Sequence, residues 1–140
     1  MSFDVFFNFD GECREAMEFY AKVFRSQVQN VMTYSQIPPD QDYPVPEADR
    51  DRILYGNVPI FGCNVMFSDV PSGSEDFVKG TNICPTLGTS DKNEIRRLFA
   101  ELASGGEVIM ELAPTFWSEL YGMLEDHYGI IWQLSYSPEA

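Results

Sequence analysis

The second half of this chain repeats the first. Leu54-Tyr55-Gly56 followed by Gly62 returns as Leu120-Tyr121-Gly122 followed by Gly129, and the helical stretch around Phe19-Tyr20-Ala21 returns around Leu98-Phe99-Ala100. The repeat is too long and too degenerate for a stacked solenoid. It predicts a duplicated βαβββ unit, hence an α+β chain in which two modules form a curved mixed sheet around a small cavity.

The local patterns fill in both modules. Phe3 to Phe9 alternates as a strand, and Asp10-Gly11 opens a helix with Asp10 as its N-cap. Cys13, Ala16, Met17, Tyr20, Val23 and Phe24 fall on one helical face. Gln27 to Ser35, Arg52 to Val58 and Phe61 to Asp69 read as strands, with a Pro-rich loop from Pro38 to Pro46. A turn-rich linker over 70–80 separates module one (1–69) from module two (81–140) within one domain. Thr81 to Leu87 then reads as a strand, although Pro85 within it has no N–H to give a ladder. Ser90 or Asp91 caps a helix with Ile95, Leu98, Phe99, Leu102 and Ala103 inward, and Gly105-Gly106 ends it. Glu107 to Leu112, Glu119 to Glu125 and Ile130 to Tyr136 complete module two.

Strand alternation separates a helix-facing set from a second set. Val5, Phe7, Phe9, Ile83, Leu87, Cys63, Val65, Phe67, Ile130, Trp132 and Leu134 are expected to pack under the helices. Asp4, Phe6, Asn8, Asn82, Cys84, Thr86, Asn64, Met66, Ser68, Ile131, Gln133 and Ser135 face the other way. Asp4 is the only charge among these, whereas a solvent face normally collects Lys and Glu. A sheet enclosing a cavity would produce that pattern.

Composition narrows the partners. With 22 acidic and nine basic residues the net charge is −13, and there is no basic cluster, so a nucleic acid is not an expected partner. Three cysteines without CxxC spacing fit a reduced compartment. The N-terminus lacks a basic signal-peptide region and no stretch suits a membrane span, so a cytoplasmic location is expected.

Several segments carry a resemblance. Asn8-Phe9-Asp10-Gly11-Glu12-Cys13-Arg14-Glu15-Ala16 with Phe19-Tyr20, Val31-Met32-Thr33-Tyr34, Thr115-Phe116-Trp117, Tyr121-Gly122-Met123, Asp126 and Gly129-Ile130-Ile131-Trp132 resemble the PhnB-like branch of the glyoxalase/bleomycin-resistance, or vicinal oxygen chelate, superfamily. The resemblance implies a U-shaped sheet, a homodimer, and in active members a divalent metal held by His, Gln or Glu from the first and last strand of each module. Registering the halves on their glycines puts Asp4, Met66, Asn82 and Gln133 near those four positions. A thioether, two neutral amides and one carboxylate repay the dehydration of a divalent ion poorly. A register error of two residues brings in Phe6, Cys84 or Ser135, which restores no His/Glu quartet. Tyr55 stands where related sequences often place His. No metal and no cofactor is therefore expected.

Other candidates divide between roles. His127, the only histidine, sits in Glu125-Asp126-His127-Tyr128-Gly129, a hairpin turn where solvation suits it better than base catalysis. Cys84 has cavity parity but no basic neighbour to lower its pKa, so an inert thiol is expected, and Cys13 and Cys63 belong to the core. Tyr55 and Tyr121 hold equivalent places and suit either a ligand or a backbone acceptor. Phe116 and Trp117 suit a dimer contact or a pocket rim. Glu111 and Glu119 read as solvated, and no Gly-rich phosphate loop, nucleophile elbow or HExxH motif is present.

The expected function is the binding of a small organic ligand in the sheet cavity. Asn8, Asn82, Gln133 and Tyr121 would fix its polar atoms, and Phe6, Tyr55 and Met66 would pack its apolar body, with Asp4, Cys84 and Trp117 beside them. The alternatives are a metal-dependent lyase, isomerase or dioxygenase, with water or a dimer partner completing the coordination of a divalent metal, and an interaction module without a ligand. Whether the chain is an enzyme stays open at this point.

Overall fold

The computed structural model describes residues 1–39 and 44–140. Part of the expected Pro38 to Pro46 loop lies outside the described residues. Module one runs β1 (Val5–Phe9), α1 (Cys13–Val23), β2 (Gln29–Thr33), β3 (Ile53–Ile60) and β4 (Cys63–Asp69). Module two runs β5 (Thr86–Thr89), α2 (Lys92–Ala103), β6 (Glu107–Ala113), β7 (Tyr121–Glu125) and β8 (Ile131–Tyr136). Hydrogen bonding groups the strands into two four-stranded sheets, β1-β4-β3-β2 and β5-β8-β7-β6. Each sheet joins its first strand to its last in parallel, and its other pairs are antiparallel. The chain divides into compact units Met1–Phe77 and Val78–Ala140, each an α+β layer of one helix on one mixed sheet.

The repeated glycines are explained by what lies against them. A Cβ on Gly56 would come 2.6 Å from the Met17 sulfur of α1, and one on Gly122 would come 2.8 Å from the Phe99 ring of α2 and from Leu112. Each Tyr-Gly pair therefore marks where a helix seats on its sheet. Gly62 and Gly129 have φ of 80° and 89° and turn the β3–β4 and β7–β8 connections, a conformation that L residues adopt at a steric cost. In the first turn Phe61 shares that strain at φ 48°.

Core packing follows the predicted alternation. In the first unit Phe7, Phe9, Val65 and Phe67 meet Ala16, Met17, Tyr20 and Val23, all buried. The Tyr20 ring lies 5.8 Å from Phe67 and 6.2 Å from Phe7. Each fully buried aromatic or aliphatic side chain contributes about 1.5–3 kcal/mol. In the second unit Leu124, Trp132 and Leu134 play this part beneath Ile95, Leu98, Phe99 and Leu102.

The helix ends show one expectation met and one corrected. Asp91 caps α2, its side chain accepting from the N–H groups of Asn93 and Glu94, and Gly105 at φ 76° follows the helix. Asp10 does not cap α1. It is drawn away by Arg52, whose Nη1 donates to Asp10 Oδ1 at 2.7 Å. The chain after α1 closes through Arg25 at φ 51°, with Ser26 N–H donating to Ala21 O at 2.8 Å.

Strand boundaries are corrected too. The expected strand from Thr81 begins only at Thr86, because Pro85 contributes no donor and pairing starts with its carbonyl, which accepts from Gln133 N at 2.9 Å. Ile83 is consequently 82% exposed, not packed under α2, and Cys63 is only half-buried, not a core residue. At β1 the strand begins at Val5, so Phe3 and Asp4 precede it.

The two helix-seating glycines differ in what must yield to a methyl group. Gly56→Ala meets the flexible end of Met17, whereas Gly122→Ala meets an aromatic ring, a leucine and, at 3.1 Å, the Met110 carbonyl. We expect losses of about 1 kcal/mol and about 2–3 kcal/mol respectively in urea unfolding. Equal losses would contradict this account of the repeat.

Candidate functional site

A buried carboxylate organises the sheet edge in the first unit. Asp69, at the end of β4 and 2% exposed, accepts at Oδ1 from Gly11 N (2.8 Å) and Cys13 N (3.0 Å) and at Oδ2 from Ile53 N (2.9 Å). Its backbone oxygen accepts from the Tyr34 hydroxyl at 2.6 Å. One side chain thus supplies the N-terminal acceptor of α1 and ties it to β3. Arg52 lies beside it, donating to Asp10 and to Val70 O (2.9 Å) and pairing through Nε with buried Asp49 at 3.3 Å. Hydrogen bonding from Ser72 is the first cause, ahead of the Arg52 charge, that holds the Asp49 carboxyl below its usual 3.8.

The sheet face opposite α1 carries no charged strand residue. Phe6 on β1 registers with Met66 on β4, Met66 with Asn57 on β3, and Asn57 with Gln29 on β2, one row crossing all four strands. Beside it Asn8 registers with Ser68, and Tyr55 with Met32. Asn57 is 5% exposed and is the hub of an amide network. Its Nδ2 donates to Asn64 Oδ1 (3.0 Å) and Gln29 Oε1 (3.4 Å), and its Oδ1 accepts from Asn30 Nδ2 at 2.8 Å.

The corresponding face in the second unit is built on Tyr121. Its hydroxyl donates to Gln133 Oε1 at 2.8 Å, and its ring lies edge-on to Trp117 at 5.2 Å, with Phe116 a further 4.8 Å on. Ser135 Oγ bonds Ser118 Oγ at 3.1 Å, and Ser118 donates to the Leu120 and Tyr136 carbonyls. Two glutamates, Glu107 and Glu125, stand opposite each other at the far end. The loop over 114–119 also borders an open groove of about 610 Å³ lined by Lys92, Trp117, Glu119 and Tyr136. There Lys92 pairs with Glu119 and lies 4.9 Å from the Tyr136 ring centre, so its charge is already engaged.

The predicted site residues therefore fall into separate groups. Phe6, Asn8, Tyr55 and Met66 share the sheet face opposite α1 in the first unit, and Trp117, Tyr121 and Gln133 cluster in the second. Asp4, ahead of β1, is exposed and accepts from Ser2 Oγ. Asn82 and Cys84 lie in the irregular segment before β5, exposed and half-buried respectively, and not on a strand face as expected. Sequence reasoning missed Asn57, Gln29 and Asn30. Asn57 was within reach, two residues beyond Tyr55 on the same face, whereas the left-handed Asn30 (φ 55°) leaves no signature in composition.

As a metal centre the predicted quartet fits poorly. Met66 offers a thioether, and Gln133 Oε1 already accepts from Tyr121. Among the described residues no group of three or more His, Cys, Asp or Glu stands together as metal ligands. His127 is exposed, its Nδ1 3.1 Å from the Gly105 carbonyl.

Comparison with known proteins now bears on this geometry. The model of the 3-demethylubiquinone-9 3-methyltransferase family matches residues 2–135. The chain belongs to that family. It is 25% identical to protein YjdN of Escherichia coli (strain K12) over 142 aligned positions, 96% of this chain and 95% of that protein. A solved Bacillus cereus structure, described as a putative 3-demethylubiquinone-9 3-methyltransferase, PhnB protein, is 25% identical with a TM-score of 0.80, covering 98% of this chain and all of the other. The fosfomycin resistance protein FosX of Listeria monocytogenes shares the fold at a TM-score of 0.66 and 10% identity, over 96% of this chain and 91% of its own. The PhnB-like assignment and the glyoxalase-like fold expected from the sequence are thus both shown.

The three thiols of this family member sit in different settings. Cys13 is wholly buried, and burial first, then the negative charge of Asp69, pushes its thiol up out of the titratable range, while Cys63 and Cys84 are partly exposed. Iodoacetamide at pH 8 is therefore expected to label Cys63 and Cys84 in the folded chain and Cys13 only after denaturation, read by intact mass. Labelling of Cys13 at the rate of the other two would show that the Asp69 site opens in the native state.

Proposed function

We propose that this PhnB-like protein binds a small uncharged organic ligand on the uncovered faces of its sheets, without a resident metal, and that it works as a homodimer in the cytoplasm. The observation that carries the reading is the lining itself. In a chain of net charge −13, the strand residues facing away from α1 are Phe6, Asn8, Tyr55, Asn57, Met66 and their neutral neighbours. Ligand sites combine such apolar surface with a few fixed polar groups. In the second unit Tyr121, held by Gln133 and flanked by Trp117, provides the same combination.

The dimer is supported by apolar side chains left in solvent. Phe3 and Ile83, each four residues ahead of a buried strand residue (Phe7 and Leu87), are 93% and 82% exposed, and Phe116 is 97% exposed. Association with a second chain would take such side chains out of water. No helix among the described residues is long and apolar enough to cross a membrane.

The family's description names a methyltransferase, and the β1–α1 turn offers no open phosphate site. A phosphate-bearing nucleotide docked there would need free backbone N–H groups. Those of Gly11 and Cys13 are taken by Asp69, and the space beside Gly11 is filled by Arg52, 3.3 Å from a would-be Cβ. The metal-dependent reading meets the poor donor set described above.

A thermal-shift screen of neutral, anionic and cationic aromatic fragments tests the proposal. Fragments that raise the melting temperature without added metal are expected, and Gln133→Leu should weaken those bound in the second unit roughly tenfold, about 1.4 kcal/mol. Stabilisation seen only with an added divalent cation, or by no fragment at all, would overturn it.

A further inference from the structure

The amide network around Asn57 has a consequence for the kind of ligand, and the inference rests on the binding reading above. Asn57 is buried and uses both faces of its amide. Nδ2 points to the oxygens of Asn64 and Gln29, and Oδ1 takes the Asn30 Nδ2 proton. The three outer amides are therefore oriented by a group that is itself largely buried. Gln29 and Asn64 turn their oxygens inward and their N–H groups out, while Asn30 turns its nitrogen inward and its oxygen out. These outward groups have no partner among the described residues. Reversing every amide in the network exchanges the outward donors for acceptors but still presents both kinds together.

The backbone reinforces this arrangement. Asn30 has φ of 55° at an irregularity in the pairing of β2 with β3. A residue other than glycine held there stores strain, and asparagine is among the few side chains that tolerate it. Asn30 Nδ2 donates to Asn57 Oδ1, which ties the Asn30 side chain to the face. Exposed solvating amides would require neither a buried hub nor a strained backbone.

Next to this polar array the row continues into apolar surface. Met66 registers with Asn57, one strand spacing or about 4.8 Å away, and Phe6 registers with Met66 one spacing further. No strand residue on this face carries a charge, so nothing there compensates an ionised ligand for lost hydration. We infer that the Gln29, Asn30, Asn57 and Asn64 cluster is a recognition site for an uncharged carboxamide- or imide-type group, with an aromatic or aliphatic body lying on Met66 and Phe6. The matching ligand group carries a carbonyl acceptor beside an N–H donor. Carboxylates and ammonium ions of the same shape are discriminated against.

The test is a titration of the full-length protein with benzamide, benzoate and benzylamine, followed by ¹H–¹⁵N NMR of the side-chain NH₂ signals. Benzamide is expected to shift the signals of Gln29, Asn57 and Asn64 and to bind at least tenfold more tightly than either charged analogue. Gln29→Ala combined with Asn64→Ala should abolish that preference; because it also leaves the buried Asn57 Nδ2 without an acceptor, a melting temperature lowered by a few degrees is expected, and the variant is compared at a temperature where its backbone ¹H–¹⁵N spectrum shows it folded. Benzamide binding that survives the double variant would overturn this inference and leave the wider binding reading intact, whereas equal affinity for the three probes would overturn both this inference and the preference for uncharged ligands. Absence of binding by all three probes here, together with an empty thermal-shift screen, would remove both.

Discussion

The Asp69 carboxylate is the contact on which the first unit depends. It closes β4, begins α1 and anchors β3, so the last strand, the helix start and the third strand of the unit are tied together by one buried group with three N–H partners. Its position also settles a chemical question. Backbone N–H groups at the start of a helix are an anion site when open, and here the protein fills that site with its own anion. Asp126 plays a related part at the β7–β8 turn, accepting from the N–H groups of Tyr128 and Ile130 and from the Trp132 indole. In both units a buried aspartate holds a chain connection and is committed to structure.

The fold was legible because its signals are local and doubled. Tyr-Gly pairs recur where a helix must approach a strand closely, and glycines recur where hairpins need positive φ. Period-two alternation separated Phe7, Phe9, Val65 and Phe67 from Phe6, Asn8 and Met66 without any structure. What failed was long-range. Asp10 has the right residue type and position for an N-cap, but Arg52, 42 residues away, competes for it, and the cap comes from Asp69, 56 residues beyond Cys13. Pro85 shortened β5 because one missing donor shifts where pairing begins, which in turn moved Asn82 and Cys84 off the strand.

Which strand residues share a face was legible in the sequence; which of them bond to one another was not. Alternation left Asp4 as the one charge in the second set, and the structure places Asp4 ahead of β1; the neutrality of the remaining strand residues carries the functional reading. The amide hub was missed because attention to the first and last strand of each module follows where metals sit in active superfamily members. Asn57 lies on the third strand and Gln29 and Asn30 on the second. A bulge that turns Asn30 toward Asn57 is a three-dimensional event with no one-residue signature. Within the 3-demethylubiquinone-9 3-methyltransferase family, this member has a glyoxalase-like fold in which the first unit's sheet face opposite α1 carries no charged strand residue.

The account stands or falls on those faces holding neutral organic matter and no cation. Native mass spectrometry of the untagged protein, prepared without chelators, reads metal, ligand and oligomeric state in one spectrum. The predicted result is a dimer whose mass is that of two polypeptides, with or without an added organic molecule that leaves under gentle activation. A zinc, nickel, manganese or iron ion retained in near-equal proportion to chain would contradict it.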